Sequence, residues 1–176
     1  MRELTTRPRL EAFMRALGQR SRERGRVYLV GGASAVLLDW RASTVDIDIE
    51  LDRSLEPLLR ELPALKEALQ VNVELASPGH FIPELPGWRE RSPFIGREGL
   101  IDFHHYDFYA QALAKIERGH ARDHEDLEKI VASGLIDPGR LLPLFSEIEG
   151  ELYRYPALNR VVFRRAVEDA VARFQT

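Results

Sequence analysis

Residues 27–51 decide the fold, and they read VYLVGGASAVLLDWRASTVDIDIEL. The apolar run over residues 27–30 predicts a short buried strand. Gly31-Gly32 then predicts a tight turn, and residues 33–40 predict a short helix. From Val45 onward, apolar and acidic residues alternate. This two-residue period predicts a strand with one apolar and one acidic face.

The acidic face of the second strand carries Asp46 and Asp48. Side chains two residues apart leave the same face of a strand, with their Cα atoms about 7 Å apart. Two carboxylates at this distance repel each other, and a cation between them offsets the repulsion. Oxygen ligands favour Mg²⁺, which proteins hold through one or two carboxylates together with substrate phosphates. The alternative interpretation is an acidic, solvent-facing side of an edge strand.

The glycine turn adds a second element of the same chemistry. Glycines let the backbone approach a phosphate closely, and the N–H groups at the start of a helix attract its negative charge. Ser34, just inside the predicted helix, would add a hydroxyl donor. The pattern therefore predicts a phosphate cradle and metal-binding carboxylates on neighbouring strands.

The rest of the chain predicts an α+β fold, with a mixed β-sheet core followed by a helical part. The elements predicted before residue 107 are a helix from about Thr6 to Gly25, a Leu-rich helical stretch capped by Ser54 and broken or bent at Pro63, a strand over residues 71–75, a long loop over residues 77–93 and a hairpin over residues 94–106. Beyond it, Asp107 and Asn159 are predicted helix caps. We predict two parts: a core over residues 1–106 and helices over residues 107–176 packed on it.

Composition excludes several kinds of protein. The chain has no cysteine, which excludes disulfides, thiolate zinc sites and cysteine nucleophiles. No apolar run approaches the roughly 20 residues that span a bilayer, so we expect no membrane partner. The arginine-rich first residues lack an apolar signal segment, and we therefore expect a cytoplasmic protein. Arginines crowd the first helix and the last segment, and both an RNA-binding face and a solvated surface remain open.

Two separated motifs carry a resemblance to a known family. The segment Val30-Gly31-Gly32-Ala33-Ser34, followed by Arg41 and Ser43-Thr44-Val45-Asp46-Ile47-Asp48, resembles the signature of the nucleotidyltransferase superfamily. Downstream, Ala114-Lys115-Ile116-Glu117-Arg118 and Arg122-Asp123-His124-Glu125-Asp126-Leu127 resemble the lysine and R-D-x-x-D elements of its bacterial AbiEii-like toxin branch and related uncharacterised nucleotidyltransferases. The match departs from the family pattern in its Gly-Gly turn and in the position of Arg41, which leaves the nucleotide open and permits a catalytically silent homologue.

The resemblance implies residue roles. Asp46 and Asp48 would hold Mg²⁺ and the triphosphate, with Glu74 as a third carboxylate and Asp102 as its alternative. Lys115 would neutralise phosphate charge. The nucleotide-binding set would be Gly31, Gly32, Ser34, Arg41 and Thr44. Asp123 or Asp126 would orient the lysine or act as a base towards the acceptor.

The implied reaction is Mg²⁺-dependent transfer of a nucleotidyl group from a nucleoside triphosphate (NTP) to an acceptor hydroxyl. The acceptor would be an RNA end, that of tRNA included, or a protein. A toxin-like role would add a cognate antitoxin or a target protein as a partner. One alternative is a catalytically silent nucleotidyltransferase-fold module that binds RNA or a partner protein. The other is a phosphohydrolase that uses the same carboxylates.

Overall fold

The computed structural model of the chain describes residues 3–176. These residues divide into two compact units, each described here by itself. The first unit runs up to Ser77 and resumes over Ser92–Tyr106. The second unit contains Pro78–Arg91 and Asp107–Thr176. Segment Pro78–Arg91 therefore groups with the C-terminal helices.

The first unit is built on a mixed β-sheet. Its strands are β1 (Thr5–Thr6), β2 (Gly25–Val30), β3 (Ser43–Thr44), β4 (Asp46–Leu51), β5 (Asn72–Leu75), β6 (Phe94–Glu98) and β7 (Ile101–His105). Within residues 3–176, five of them form one sheet in the order β5-β4-β2-β7-β6, and β1 pairs with β3. The central strand β2 lies antiparallel to β4 and parallel to β7, whereas β4 and β5 are parallel. This mixed sheet with helices confirms the predicted fold class.

One face of the sheet is covered by helices α1 (Arg7–Arg20), α2 (Gly32–Leu37) and α3 (Leu62–Leu69). Leu10, Phe13 and Leu17 recur at helical spacing in α1, and all three are fully buried. They share one apolar core with residues of β2, β4, β5 and β7. The opposite face of β4 is left to polar side chains, and it carries the candidate site.

The Leu-rich segment after β4 differs from its prediction in its cap. Residues Arg53–Arg60 form a 3₁₀ helix that contains Pro57, and α3 begins separately at Leu62, so the predicted break in the helical stretch is present beside Pro63. Asp52 precedes this helix as its cap, whereas the Ser54 hydroxyl donates to the Arg24 carbonyl at 2.9 Å. Pro63 lies in the first turn of α3, where the missing N–H has no cost.

The second unit is helical. Its helices are α4 (Trp88–Arg91), α5 (Phe108–Arg118), α6 (Ala121–Ala132), α7 (Leu141–Glu149) and α8 (Arg160–Phe174). Both predicted caps are confirmed, since Asp107 accepts from the Tyr109 N–H and Asn159 accepts from the Val162 N–H, each at 3.1 Å. The Arg91 guanidinium binds the fully buried Asp107 carboxylate at 2.7 Å. This ion pair joins residues 78–91 to the start of α5.

Among the helices within residues 3–176, none has both the length and the apolar character that crossing a membrane requires.

Candidate functional site

The acidic face of β4 follows from the packing of the opposite face. Ile47 and Ile49 are fully buried in the core, so the alternating Asp46 and Asp48 leave the sheet on the other side, where both are half-buried. In the parallel pairing with β5, Asp48 lies beside Glu74. Residues in register on adjacent strands share a face, and the structure therefore brings together the three carboxylates that the sequence suggested.

Asn72 is a neighbour of this site that the sequence analysis missed. It lies beside Asp46 in the same register, two residues before Glu74. The alternation that singled out Glu74 also places Asn72 on its face, but a lone asparagine carries no motif signal. Asp46, Asp48, Asn72 and Glu74 are here called the polar square.

The turn after β2 lies against the polar square. Gly31 has φ +57°, a conformation that side chains disfavour, and a Cβ at this position would lie 3.8 Å from the Asp48 carboxylate. A Cβ at Gly32 would lie 2.9 Å from the Thr44 Cβ and 3.5 Å from the Arg41 guanidinium. The two glycines thus let the turn approach Arg41, Thr44 and Asp48, which all follow it in the sequence. Four of the five predicted nucleotide-binding residues therefore lie close together, and they are Gly31, Gly32, Arg41 and Thr44.

Ser34 has a different environment from the one predicted. Its side chain is 1 % exposed, and its hydroxyl donates to the Leu29 carbonyl at 3.1 Å. The same oxygen lies 2.9 Å from Nδ1 of His105 on β7. Because the hydroxyl has one hydrogen and Leu29 receives it, His105 Nδ1–H is the donor in the second bond. Ser34 thus joins the start of α2 to β2 and β7, and its hydroxyl hydrogen is donated to the Leu29 carbonyl.

His105 is held in its neutral form. Burial, together with the nearby His104, lowers the pKa of His105 to about 4. Because Nδ1–H donates to Ser34, the neutral ring carries its one N–H hydrogen on Nδ1. His105 therefore supports the base of the glycine turn at neutral pH, and it is a second residue that no motif revealed.

Asp102, the alternative third carboxylate, is bound elsewhere. Arg97 contacts both of its oxygens, at 2.6 and 3.1 Å. The hydrogen bonds from Arg97 hold the pKa of Asp102 below its usual value, against the opposing effect of burial. Asp102 pairs with Arg26 at the start of β2, whereas Asp48 pairs with Val30 at its end. Glu74 is therefore the carboxylate that belongs to the polar square.

The polar square offers oxygen ligands, which suit a hard divalent cation. Across residues 3–176, however, no three His, Asp or Glu side chains converge closely enough to form a metal cage from protein ligands alone. Its members lie on two strands about 4.8 Å apart and at positions about 7 Å apart along each strand. Such spacing fits a cation held by one or two carboxylates and completed by phosphate oxygens, and these residues therefore fit a nucleotide-bound ion.

The predicted residues of the second unit form a separate cluster on α5 and α6. Lys115 Nζ lies 2.9 Å from Asp126 and 3.9 Å from Asp123, and all three side chains are at most 11 % exposed. Arg118 contacts both oxygens of Asp123, at 2.8 and 2.5 Å. Lys115 thus lies beside both aspartates, within an ion-pair network in which each carboxylate has a cation.

Asp123 also holds the start of α6. Its side chain accepts from the His120 N–H at 3.2 Å, which satisfies one of the donors that a helix start leaves unpaired. Burial by itself raises the pKa of Asp123, but Arg118 and Lys115 outweigh burial and keep that pKa below its usual value. The carboxylate is therefore ionised at neutral pH and is engaged on several sides. Its implied role as a catalytic base remains a prediction.

Comparison with known proteins identifies one family. A family model described as "nucleotidyltransferase of unknown function (DUF6036)" matches residues 8–174. No curated protein and no solved structure matches the chain.

We expect His105 to make the stability of the protein depend on pH. An unfolded histidine titrates near pH 6.5, whereas folded His105 titrates near 4, so the unfolded chain binds more protons between these values. The stabilisation is complete above pH 6.5 and decreases by about 3 kcal/mol as pH falls to 4. Urea denaturation of wild type and His105→Gln across this range measures the difference.

The exposed His124 provides the control for this experiment. His124→Gln should keep the wild-type dependence of unfolding free energy on pH, whereas His105→Gln should show a shallower one. Identical pH dependence in His105→Gln and wild type would contradict the buried, neutral state of His105.

The close approach of Gly32 to Thr44 predicts a second effect. Gly32→Ala would force a methyl group against the Thr44 side chain. We expect the free energy of unfolding to fall by about 1–3 kcal/mol, the usual cost of overpacking. Gly150→Ala is the matched control, because a Cβ there meets no atom within 4 Å. Equal losses in the two variants, measured by urea denaturation, would show that Gly32 is not closely packed.

The Lys115 network predicts a third effect, on the stability of the second unit. Lys115→Met leaves the buried Asp126 without its cation, and we expect a loss of about 3–5 kcal/mol in unfolding free energy. Adding Asp126→Leu removes the uncompensated charge and should restore most of this loss. A double-mutant cycle in denaturant measures the coupling. If Lys115→Met were as stable as wild type, the ion pair would have no structural role.

Proposed function

Because the chain belongs to this family of nucleotidyltransferases of unknown function, we propose that it transfers a nucleotidyl group from an NTP to an acceptor hydroxyl at the polar square. The observation that carries the proposal is the position of three carboxylates, Asp46, Asp48 and Glu74, on one face beside the Gly31-Gly32 turn. This places acidic ligands for a cation next to a backbone segment that has no side chain to exclude a phosphate. Nucleotidyl transfer is the general activity of the family, and the donor, the cation and the acceptor are the parts that we propose.

In the proposed complex the triphosphate lies along the glycine turn. The first hydrogen bond within α2 runs from the Ala35 N–H to the Gly31 carbonyl at 3.0 Å, so the N–H groups of residues 32–34 precede it. These donors and the Arg41 guanidinium favour an anion. Thr44 Oγ1 donates to the Asp46 carbonyl at 3.0 Å and so orients the start of the acidic strand. We leave the Ser34 hydroxyl out of this ligand set.

Asp46 and Asp48 would hold the divalent cation, for which we propose Mg²⁺. When bound, such a cation supplies positive charge to the phosphate oxygens as the bond breaks. The acceptor oxygen forms a bond to the α-phosphorus, and pyrophosphate leaves with the electron pair of the broken P–O bond. The acceptor proton passes to a carboxylate of the square, and the exposed Glu74 is the one that we propose. The chain's own contribution is therefore to orient the triphosphate and to accept this proton.

The acceptors that we propose to test are RNA ends, tRNA first, and protein hydroxyls. These are the acceptors implied by the resemblance to AbiEii-like toxins. A toxin-like role would also require that expression of the wild-type chain arrest bacterial growth and that a cognate antitoxin relieve the arrest.

We expect the purified protein to transfer label from an α-³²P-labelled NTP to tRNA or to protein in the presence of Mg²⁺. Asp48→Asn should lower the rate at least 100-fold, because it removes a carboxylate charge that would hold the cation at the reacting phosphate. Glu50→Gln is the matched control, since it removes the same charge from the same face of β4, two residues away. Growth arrest in an expressing strain should follow the same order among the variants.

Three outcomes separate the alternatives. Equal labelling by wild type and Asp48→Asn would overturn the proposed site. Release of free phosphate or nucleoside monophosphate without acceptor labelling would identify a phosphohydrolase. Mg²⁺-dependent nucleotide binding without any turnover would identify a catalytically silent module.

A further inference from the structure

Asn72 occupies one corner of the polar square. It lies opposite Asp46, and Glu74 lies opposite Asp48, in the parallel register of β4 and β5. Three corners are therefore carboxylates, and the fourth is a neutral carboxamide of similar size to an aspartate. β5 is the edge strand of the sheet, so this corner completes the site on its outer side.

The Asn72 carboxamide bridges two of the three carboxylates. Its Nδ2 donates to Asp46 Oδ1 and lies 3.4 Å from Glu74 Oε1. An ionised carboxylate only accepts hydrogen bonds, so the amide must turn its NH₂ group, which has two hydrogens, towards this pair. One neutral side chain thus supplies donors to two anionic groups that lie diagonally across the strand pair.

We propose that Asn72 is a positioning residue of the nucleotide site, an inference that rests on the proposed function. By binding Oδ1 of Asp46, the amide fixes the orientation of this carboxylate and would leave its other oxygen, Oδ2, for the divalent cation. By binding Glu74 as well, it keeps the third carboxylate on the square. Hydrogen bonds to metal ligands raise affinity in this way because they remove alternative orientations before the ion arrives.

The charge of the side chain matters as much as its donors. An aspartate in place of Asn72 would add a fourth carboxylate and would remove both N–H donors, which increases repulsion within the square. An alanine would remove the donors and leave the charge of the square unchanged. Comparison of the two variants therefore separates the loss of donors from the gain of charge.

The test measures metal uptake rather than turnover. The 176-residue chain is titrated with Mn²⁺ in the presence of a non-hydrolysable NTP, and free Mn²⁺ is followed by electron paramagnetic resonance. We expect Asn72→Ala to weaken Mn²⁺ affinity by about tenfold or more. Gln70→Ala is the matched control, because it removes a carboxamide two residues earlier, one that instead donates to the Glu67 carbonyl. This control should bind Mn²⁺ as wild type does.

Asn72→Asp separates the two contributions. If the donors orient Asp46, this variant should also bind Mn²⁺ more weakly than wild type, in spite of its additional charge. If only the charge of the square attracts the ion, Asn72→Asp should bind at least as tightly as wild type, and the positioning role of Asn72 would be overturned.

A measurement without metal tests the contact itself. The side-chain amide resonances of Asn72 in ¹⁵N-labelled, metal-free protein should shift in Asp46→Ala and Glu74→Gln but not in Glu50→Gln. If the chemical shifts of the Asn72 side-chain amide were unchanged in Asp46→Ala, the inference would be overturned, even if Asn72→Ala failed to fold.

The outcomes distinguish this inference from the function on which it rests. Wild-type Mn²⁺ uptake with an unchanged affinity in Asn72→Ala would overturn the role of Asn72 alone. Absence of nucleotide-dependent Mn²⁺ uptake by wild type would overturn the proposed function, and the inference about Asn72 with it.

Discussion

The two-residue period of β4 is the constraint on which the rest of the first unit depends. Ile47 and Ile49 are completely buried, and burial of two such side chains contributes about 3–6 kcal/mol. Repulsion between Asp46 and Asp48 at about 7 Å costs about 0.6 kcal/mol in water and about 2 kcal/mol at an effective dielectric constant near 20. Burial therefore outweighs repulsion, and a shift of one residue would reverse both faces at once. The core holds the two carboxylates together before any ligand binds.

The polar square needs more than this strand, because it joins segments that are distant in sequence. The turn at Gly31 approaches Asp48, and β5 supplies the other two corners. Parallel pairing of β4 and β5 requires a crossover connection, which residues 53–69 provide as a 3₁₀ helix followed by α3. His105 then joins β7 to the first turn of α2 through Ser34. The site thus depends on four of the five strands of this sheet: β4 and β5 supply its polar side chains, and β2 and β7 support the glycine turn.

The two acidic clusters of this protein differ in what neutralises them. In the second unit, Asp123 and Asp126 are bound by Arg118 and Lys115, so each carboxylate has a charged partner within the protein. Such a network contributes to stability chiefly because removal of one member leaves another charge buried. In the first unit, Asp46 and Glu74 are bridged by a neutral amide, which leaves their negative charge available to a cation. Aspartates therefore serve a structural network in the second unit, whereas those of the polar square are the ones for which we propose ligand chemistry.

The sequence by itself determined the elements and faces that depend on local spacing. Alternation in residues 45–51 was enough to predict β4 and its acidic side, and Asp107 and Asn159 predicted two helix caps. These features depend on interactions between residues that are close in the sequence. It predicted the break near Pro63 in the helical stretch after β4, but it misassigned the cap, which is Asp52 rather than Ser54. Only the tertiary structure decided that Asn72 belongs to the site, that Asp102 is bound by Arg97 and that Ser34 is bound to His105. These outcomes depend on strand order, register and burial. Such features arise from contacts between segments that are distant in the sequence, and no periodic pattern of residues indicates them.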